Sequence, residues 1–115
     1  PLLQNKIPRQ SIHKVQIFFP DPWPKRRHHK RRLVQQEFLD LLYKSLAENC
    51  IIHIATDWQD YATHVQDVFA QDKRFQLLDE TLAAEYIAAR PKTKFELRGL
   101  RLGHKITDLV YKLIS

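Results

Sequence analysis

Apolar positions along the chain fall first into a strand-sized run and then into helical periods. The run at 15–19 is short, aromatic and β-branched, which predicts a buried strand. An amphipathic helix over about 31–47 and a second strand over 51–55 follow, and a second helix begins after Asp57. The inward faces of the two predicted helices hold Leu33, Phe38, Leu41, Leu42, Ser45 and Leu46 in the first and Tyr61, Val65, Val68 and Phe69 in the second.

The second half of the chain predicts two more strands, at 75–78 and 106–114. Ala and Glu within 80–90 favour a helix, but the segment leads into Pro91, and we expect a mobile loop there. Strands joined both by helices and by shorter connections indicate a mixed sheet. The whole chain, 1–115, is therefore interpreted as a single α/β domain in which helices flank a mixed sheet.

Composition narrows the class of protein. With 43% hydrophobic residues, the chain can bury a modest core. No apolar run is long enough to span a membrane, and the single Cys50 cannot form an internal disulfide, so we expect a reducing, cytoplasmic location. The formal charge of +6 favours a polyanionic partner. Because the chain begins with Pro1 and contains no methionine, we interpret it as a fragment.

Asp21 follows the first predicted strand, at the end where ligands bind in open α/β sheets. Pro20, Pro22 and Pro24 stiffen the turn because each fixes its own φ. A rigid loop holds the Asp21 carboxylate and the Trp23 indole in place at little entropic cost on binding. The alternative interpretation is a strand-ending turn with a surface aspartate and a packing tryptophan.

A dense cationic run occupies 25–32, where six of the eight residues are Lys or Arg. Such runs are often solvated helix starts. Here the run is expected to crowd positive charge onto the beginning of the first helix, which the helix dipole disfavours. A phosphate partner would relieve that mismatch, because nucleic acids bind such runs with release of counterions.

Asp57 is predicted to emerge at the same edge of the sheet as Asp21, provided that the two strands are neighbours. It also fits a helix N-cap, a role worth about 1 kcal/mol, and the two roles can coexist. Metal binding is not expected, because the histidines are scattered without ligand spacing. Nucleophilic catalysis is not expected either, since Cys50 lies in an apolar stretch that does not favour a thiolate.

Four motifs stand in order along the chain. They are Phe-Pro-Asp-Pro-Trp-Pro-Lys at 19–25, with the cationic run behind it, Ala-Thr-Asp-Trp at 55–58, Arg-Pro-Lys-Thr-Lys-Phe-Glu at 90–96 and Arg-Leu-Gly-His at 101–104. Together they resemble the tRNA (guanine-N7)-methyltransferases from about residue 11 to the end. There are two departures: Glu-Asn-Cys at 48–50 replaces a Pro-Gly-Gly-like turn, and Lys-Ile-Thr at 105–107 replaces a typical Gly-Val-Trp.

This resemblance implies the C-terminal half of a Rossmann-like class I S-adenosylmethionine-dependent methyltransferase. The full-length protein would transfer a methyl group from S-adenosylmethionine to N7 of a guanine in the variable loop of tRNA. Asp21 is the candidate catalytic residue and the only remaining cofactor contact. The resemblance makes Lys25, Asp57, Thr93, Lys94, Phe95 and Glu96 substrate-binding, while Arg26, Arg27, Lys30 and Arg31 are candidates to hold the tRNA backbone.

Two more expectations concern the cofactor-binding N-terminal half, which the resemblance implies is absent. Without a glycine-rich strand-to-helix turn, the fragment would bind S-adenosylmethionine negligibly and be inactive alone. The strand at 15–19 would also have an open edge, through which the fragment would self-associate or aggregate unless a terminal segment folds over that edge.

Guanine N7 carries a lone pair and no proton, so its methylation needs no general base. A carboxylate at Asp21 would instead accept from guanine N1–H and N2–H and stabilise the positive charge that develops on the purine, with Trp23 as packing or as a stacking surface. Thr93 and Glu96 also fit a capping box that would open a short helix through about Leu102, which explains them structurally. The alternatives are a non-catalytic RNA-binding module and a DNA base methyltransferase, and the four-motif match argues against the latter.

Overall fold

The computed structural model describes residues 12–90 and 105–114. The strand order of its four-stranded sheet is β1-β2-β4-β3, with β1 parallel to β2 and the other two pairings antiparallel. The predicted mixed α/β sheet with flanking helices is thus confirmed. The elements are β1 (Ile12–Phe18), a 3₁₀ helix (Arg26–Arg31), α1 (Gln36–Ser45), β2 (Leu46–Thr56), α2 (Gln59–Ala70), β3 (Phe75–Leu77), α3 (Glu80–Ala89) and β4 (Thr107–Leu113).

The core lies on both faces of β2, the strand between β1 and β4. Ile52 and Ile54 pack on one face with apolar residues of α1 and α2, whereas Ile51 packs on the other face with Val110 of β4 and Ala83 of α3. Residues 50–56 of β2 are buried without interruption, as expected for a strand buried on both faces. β1 is an edge strand in this sheet and is only half-buried, so the prediction of a buried strand at 15–19 was wrong in its burial.

The first helix begins later than predicted. The cationic run forms the separate 3₁₀ helix, and α1 begins only at Gln36. Lys30 and Arg31 lie in the last turn of the 3₁₀ helix, where the helix dipole favours positive charge, whereas Arg26 and Arg27 lie in its first turn. The prediction that the run crowds charge onto the beginning of the amphipathic helix was wrong, because α1 begins after the run and has Glu37 in its first turn. The dipole argument for a phosphate partner therefore does not hold for α1.

Residues 80–90 were predicted to form a mobile loop, and this prediction was wrong. The structure has α3 there, with the Leu82 N–H donating to the Asp79 carboxylate over 2.9 Å as an N-cap. Ala83 packs against Ile51 and Val110, so tertiary contact reinforces the good helix propensity of an Ala-rich segment. The capping aspartate was the sequence signal that could have identified this helix.

The departure at 48–50 lies within β2 and distorts its pairing with β1. Ile12 pairs with Leu46 and Lys14 with Ile51, so two steps along β1 span five along β2, and the extra residues bulge. Asn49 lies in this bulge with φ 63°, in the left-handed region that favours glycine and that Asn tolerates better than most residues.

Candidate functional site

The parallel pairing of β1 and β2 brings their carboxyl ends together. Phe18 pairs with Ala55, and Asp21 follows the first by three residues while Asp57 follows the second by two. Because the carboxyl ends of parallel strands meet at one edge of a sheet, both acids emerge at that edge. The predicted neighbourhood of the two strands is confirmed.

The loop after β1 holds Asp21 on a constrained backbone. The Asp21 carboxylate accepts from the Trp23 N–H over 3.0 Å, and the Phe19 N–H donates to the Ala55 carbonyl over 2.7 Å. Phe19 (φ 53°) and Trp23 (φ 41°) both lie in the left-handed region, which is costly for bulky side chains. Strained residues thus flank an exposed carboxylate, an arrangement that concentrates at functional sites.

Trp23 packs against the 3₁₀ helix. The Arg31 guanidinium carbon lies over the indole, 5.2 Å from the ring centroid, and the His28 ring meets it edge-on at 5.6 Å. Because the Arg31 guanidinium covers one face of the indole, the structure supports the packing role of Trp23 over the role of a stacking surface for the base. The same contact holds the cationic run against the Asp21 loop.

Most of the cationic run is exposed, but its last residue is buried. Lys25 and the four candidate backbone contacts are exposed, so their charges are open to a polyanion. Arg32, which was not among the predicted site residues, has a side chain only 2% exposed. Its Nε donates to the Pro22 carbonyl over 2.8 Å and its Nη2 to Asp60 of α2. The sequence has no signal that separates Arg32 from the cations before it.

Asp57 is not the N-cap of α2. The cap position is Trp58, whose N–H donates to the Thr56 hydroxyl over 3.2 Å. The prediction of an aspartate cap was therefore wrong by one residue. Trp58 is 44% exposed at the same edge as Asp21, and sequence reasoning missed it as a site residue although it belongs to one of the motifs.

A buried ionic network lies close to this edge on the opposite side of β2 from the α1 and α2 contacts. Asp108, which pairs with Ala55, accepts from Arg90 and lies 2.8 Å from His53 Nε2. The Arg90 guanidinium carbon lies 5.9 Å from the ring centroids of Phe18 and Phe19. The network therefore joins β2, β4 and the end of α3 to the end of β1.

The remaining predicted residues and sites concern the third motif, the cysteine and metal binding. Thr93, Lys94, Phe95 and Glu96 lie outside the described residues, as does the predicted helix that they would open. Cys50 is buried, and burial raises the pKa of its thiol to about 11, in agreement with its predicted inertness. Within residues 12–90 and 105–114, no group of three His, Cys, Asp or Glu residues could hold a metal ion, and no helix is long and apolar enough to cross a membrane.

In open α/β sheets ligands bind outside the carboxyl ends of the strands, and the proline-stiffened loop after β1 places Asp21 at that position. A family described as "Putative methyltransferase" matches residues 1–109, and the chain belongs to this family.

Curated relatives carry a more particular name, tRNA (guanine-N(7)-)-methyltransferase. The Legionella pneumophila (strain Lens) protein is 51% identical over 111 residues, which cover 96% of this chain and 49% of the relative. The Halorhodospira halophila protein is 48% identical over 116 residues, covering 97% of this chain and 49% of the relative. The chain thus spans about half the length of the curated relatives that it matches.

Proposed function

We propose that the protein to which this chain belongs transfers a methyl group from S-adenosylmethionine to N7 of a guanine in the variable loop of tRNA, in the cytoplasm. The observation that supports this most strongly is the placement of Asp21 and Asp57 at one edge of the sheet, beside an exposed cationic helix. The names of relatives about half identical to the chain support the same reaction.

The described residues do not form a complete site for S-adenosylmethionine. Both glycines, Gly99 and Gly103, lie outside 12–90 and 105–114, so the described part contains no glycine-rich turn to receive an adenosine. Asp21 is the single cofactor contact that we assign to this part of the chain. The methyl donor supplies an electrophilic methyl group, and the residues of this chain act on the acceptor.

Asp21 has the properties of an electrostatic and orienting group. Its carboxylate accepts one backbone N–H, from Trp23, and the side chain is exposed, so further lone pairs can accept from guanine N1–H and N2–H. Those bonds would turn N7 toward the donor, and the negative charge would stabilise the positive charge that develops on the purine. No proton has to be removed from N7, so this role requires an ionised carboxylate and no base.

The other candidate residues divide between the base and the backbone of the RNA. Lys25 and Asp57, together with Thr93–Glu96, are proposed to bind the substrate guanosine and its surroundings. The exposed cations of the 3₁₀ helix are proposed to contact tRNA phosphates, which position the RNA without reading its sequence. These cations are Arg26, Arg27, Lys30 and Arg31.

The test is single-turnover methyl transfer by the full-length protein carrying Asp21→Ala. We expect a loss of about 10²–10³ in rate with nearly unchanged tRNA affinity, because one electrostatic contact is removed while the phosphate contacts remain. Asp67→Ala, at an exposed aspartate of α2, is the matched control and should retain the wild-type rate. An Asp21→Ala rate equal to wild type would overturn the catalytic assignment. A wild-type protein that binds tRNA without methylating it would indicate an RNA-binding module.

A further inference from the structure

The carbonyl groups of the Asp21 loop are held by side chains. Pro22 and Pro24 lack a backbone N–H, so each of these two residues can form main-chain hydrogen bonds only through its carbonyl. The Pro22 carbonyl accepts from Arg32 Nε over 2.8 Å, and the Pro24 carbonyl lies 3.2 Å from His29 Nε2. Both side chains come from the cationic run, which therefore also has a structural role toward the loop.

Arg32 is fixed by a second element. Its Nη2 donates to Asp60 in the first turn of α2, and its guanidinium carbon lies 5.4 Å from the Tyr61 ring centroid. Asp60 also lies 3.9 Å from His29 Nε2, so one carboxylate on α2 faces both side chains that hold the loop. The hydrogen bond from Arg32 lowers the pKa of Asp60, which keeps the anchor ionised.

Burial separates Arg32 from a phosphate contact. Its side chain is 2% exposed, and its Nε and Nη2 already bond Pro22 and Asp60, whereas the cations at 26, 27, 30 and 31 are exposed. A buried guanidinium is costly unless it is paired, so its burial at this position indicates a task inside the protein. The hydrogen bond from Arg32 Nε to the carbonyl of Pro22, the residue directly after Asp21, shows where the side chain acts.

We propose that Arg32, anchored by Asp60, is a positioning residue that sets the orientation of the Asp21 carboxylate. The Pro22 carbonyl and the Trp23 N–H belong to the same peptide unit, so the bond from Arg32 fixes the plane of the N–H that donates to the Asp21 carboxylate. Lysine cannot replace the Arg32 guanidinium, because an ammonium group has no planar set of donors that bonds a carbonyl and a carboxylate at the same time. This inference rests on the proposed methyl transfer.

The experiment is a double-mutant cycle between Arg32→Lys and Asp21→Ala in the full-length protein, read by single-turnover methylation of tRNA. Arg32→Lys alone should lower the rate at least about tenfold with tRNA affinity within about twofold, since small misplacements of reacting groups are costly. In the Asp21→Ala background it should cause no further loss, because the group that it positions is already absent. Asp60→Asn, which keeps the Arg32 side chain, should show the same pattern more weakly.

Arg74→Lys is the matched control. Arg74 also bonds aspartates and lies over an aromatic ring, but it precedes β3 at the other end of the sheet, where Phe75 pairs with Leu113. It should lower the thermal unfolding temperature without lowering the rate of the folded protein. An additive loss in the cycle, or a weakened tRNA affinity at unchanged rate, would overturn the positioning role. Absence of methylation in the wild-type protein would instead overturn the proposed function.

Discussion

Arg90 binds both carboxylate oxygens of Asp108, with 2.7 Å from Nε to Oδ1 and 3.0 Å from Nη2 to Oδ2. His53 Nε2 lies 2.8 Å from the same Oδ1, and the side chains of all three residues are less than a tenth exposed. Burial by itself raises the pKa of Asp108, but hydrogen bonds from His53 and Arg90 outweigh it and lower the pKa below the usual value. Asp108 is therefore ionised and compensated inside the protein.

Asp108→Asn should destabilise the protein strongly. The substitution removes a carboxylate that compensates the buried Arg90 charge, and removing one partner of a buried pair typically costs about 3–5 kcal/mol. The free energy of unfolding from urea titration of the full-length protein measures the effect. Asp40→Asn is the control, because Asp40 also pairs with an arginine, Arg74, but has a side chain 54% exposed and should matter far less. Equal losses in the two variants would contradict this account.

Asp72 should make the stability depend on pH in the acid range. Hydrogen bonds from Arg74 lower the pKa of Asp72 from 3.8 to about 2. The folded state thus binds the proton less readily than the unfolded state, so the stabilisation is complete above about pH 4 and is lost as the pH falls through about 2. The linked free energy is about 2 kcal/mol.

Unfolding titrations between pH 6 and pH 2 on wild type and Asp72→Asn test this linkage. The variant should be less stable near neutrality and should show a shallower decline with acid, since it has no carboxyl to protonate. If the free energies of unfolding of the two proteins declined in parallel with falling pH, protonation of Asp72 would not be the cause of the acid destabilisation.

The sequence predicted the framework well because its signals were local. The apolar runs identified β1, β2 and β4, and the order of the elements placed Asp21 and Asp57 after strands that prove to be parallel neighbours. One error had a local cause, because the Asp79 cap of α3 was overlooked, whereas others arose where distant contacts decide the structure. Nothing in a run of cations shows that Arg32 finds Asp60, 28 residues away, and is buried there.

Neutralising exposed cations of the 3₁₀ helix should weaken tRNA binding and flatten its salt dependence. Arg26→Gln with Arg27→Gln removes two exposed charges without touching Arg31, which packs on Trp23. For each phosphate that is no longer bound, the log–log slope of affinity against salt should fall by about 0.7–0.9. The control replaces Lys44 and Lys73, two exposed cations elsewhere, with Gln. If both double variants showed the same slope, Arg26 and Arg27 would be solvated surface residues that contact no tRNA phosphate.

Asn49 should be replaceable by glycine but not by alanine. Its φ of 63° places it in the left-handed region, where a Cβ without a locally bonding side chain costs about 1 kcal/mol. Asn49→Ala should therefore lower the free energy of unfolding by about that amount, while Asn49→Gly should be close to neutral or mildly stabilising. Urea titration compares the two variants, and an alanine variant as stable as the glycine variant would contradict the backbone argument.

The edge of β1 that pairs with no strand within 12–90 and 105–114 should drive self-association of the 115-residue chain. Among the described residues β1 pairs with β2 alone, so the other side of Ile12–Phe18 presents backbone groups to which a second chain can add a strand. Lys14 is the one Lys or Arg in β1, and its charge disfavours pairing with another strand. It lies within the observed strand but outside the predicted 15–19. Sedimentation should show a concentration-dependent dimer or larger species.

Gln16→Lys places a second charge on the same exposed face and should shift the chain toward monomer. Gln76→Lys, on the opposite edge strand β3, is the control and should leave the association unchanged, because β3 is only three residues long. A stable monomer at all concentrations, or equal effects of the two lysines, would show that β1 does not mediate the contact.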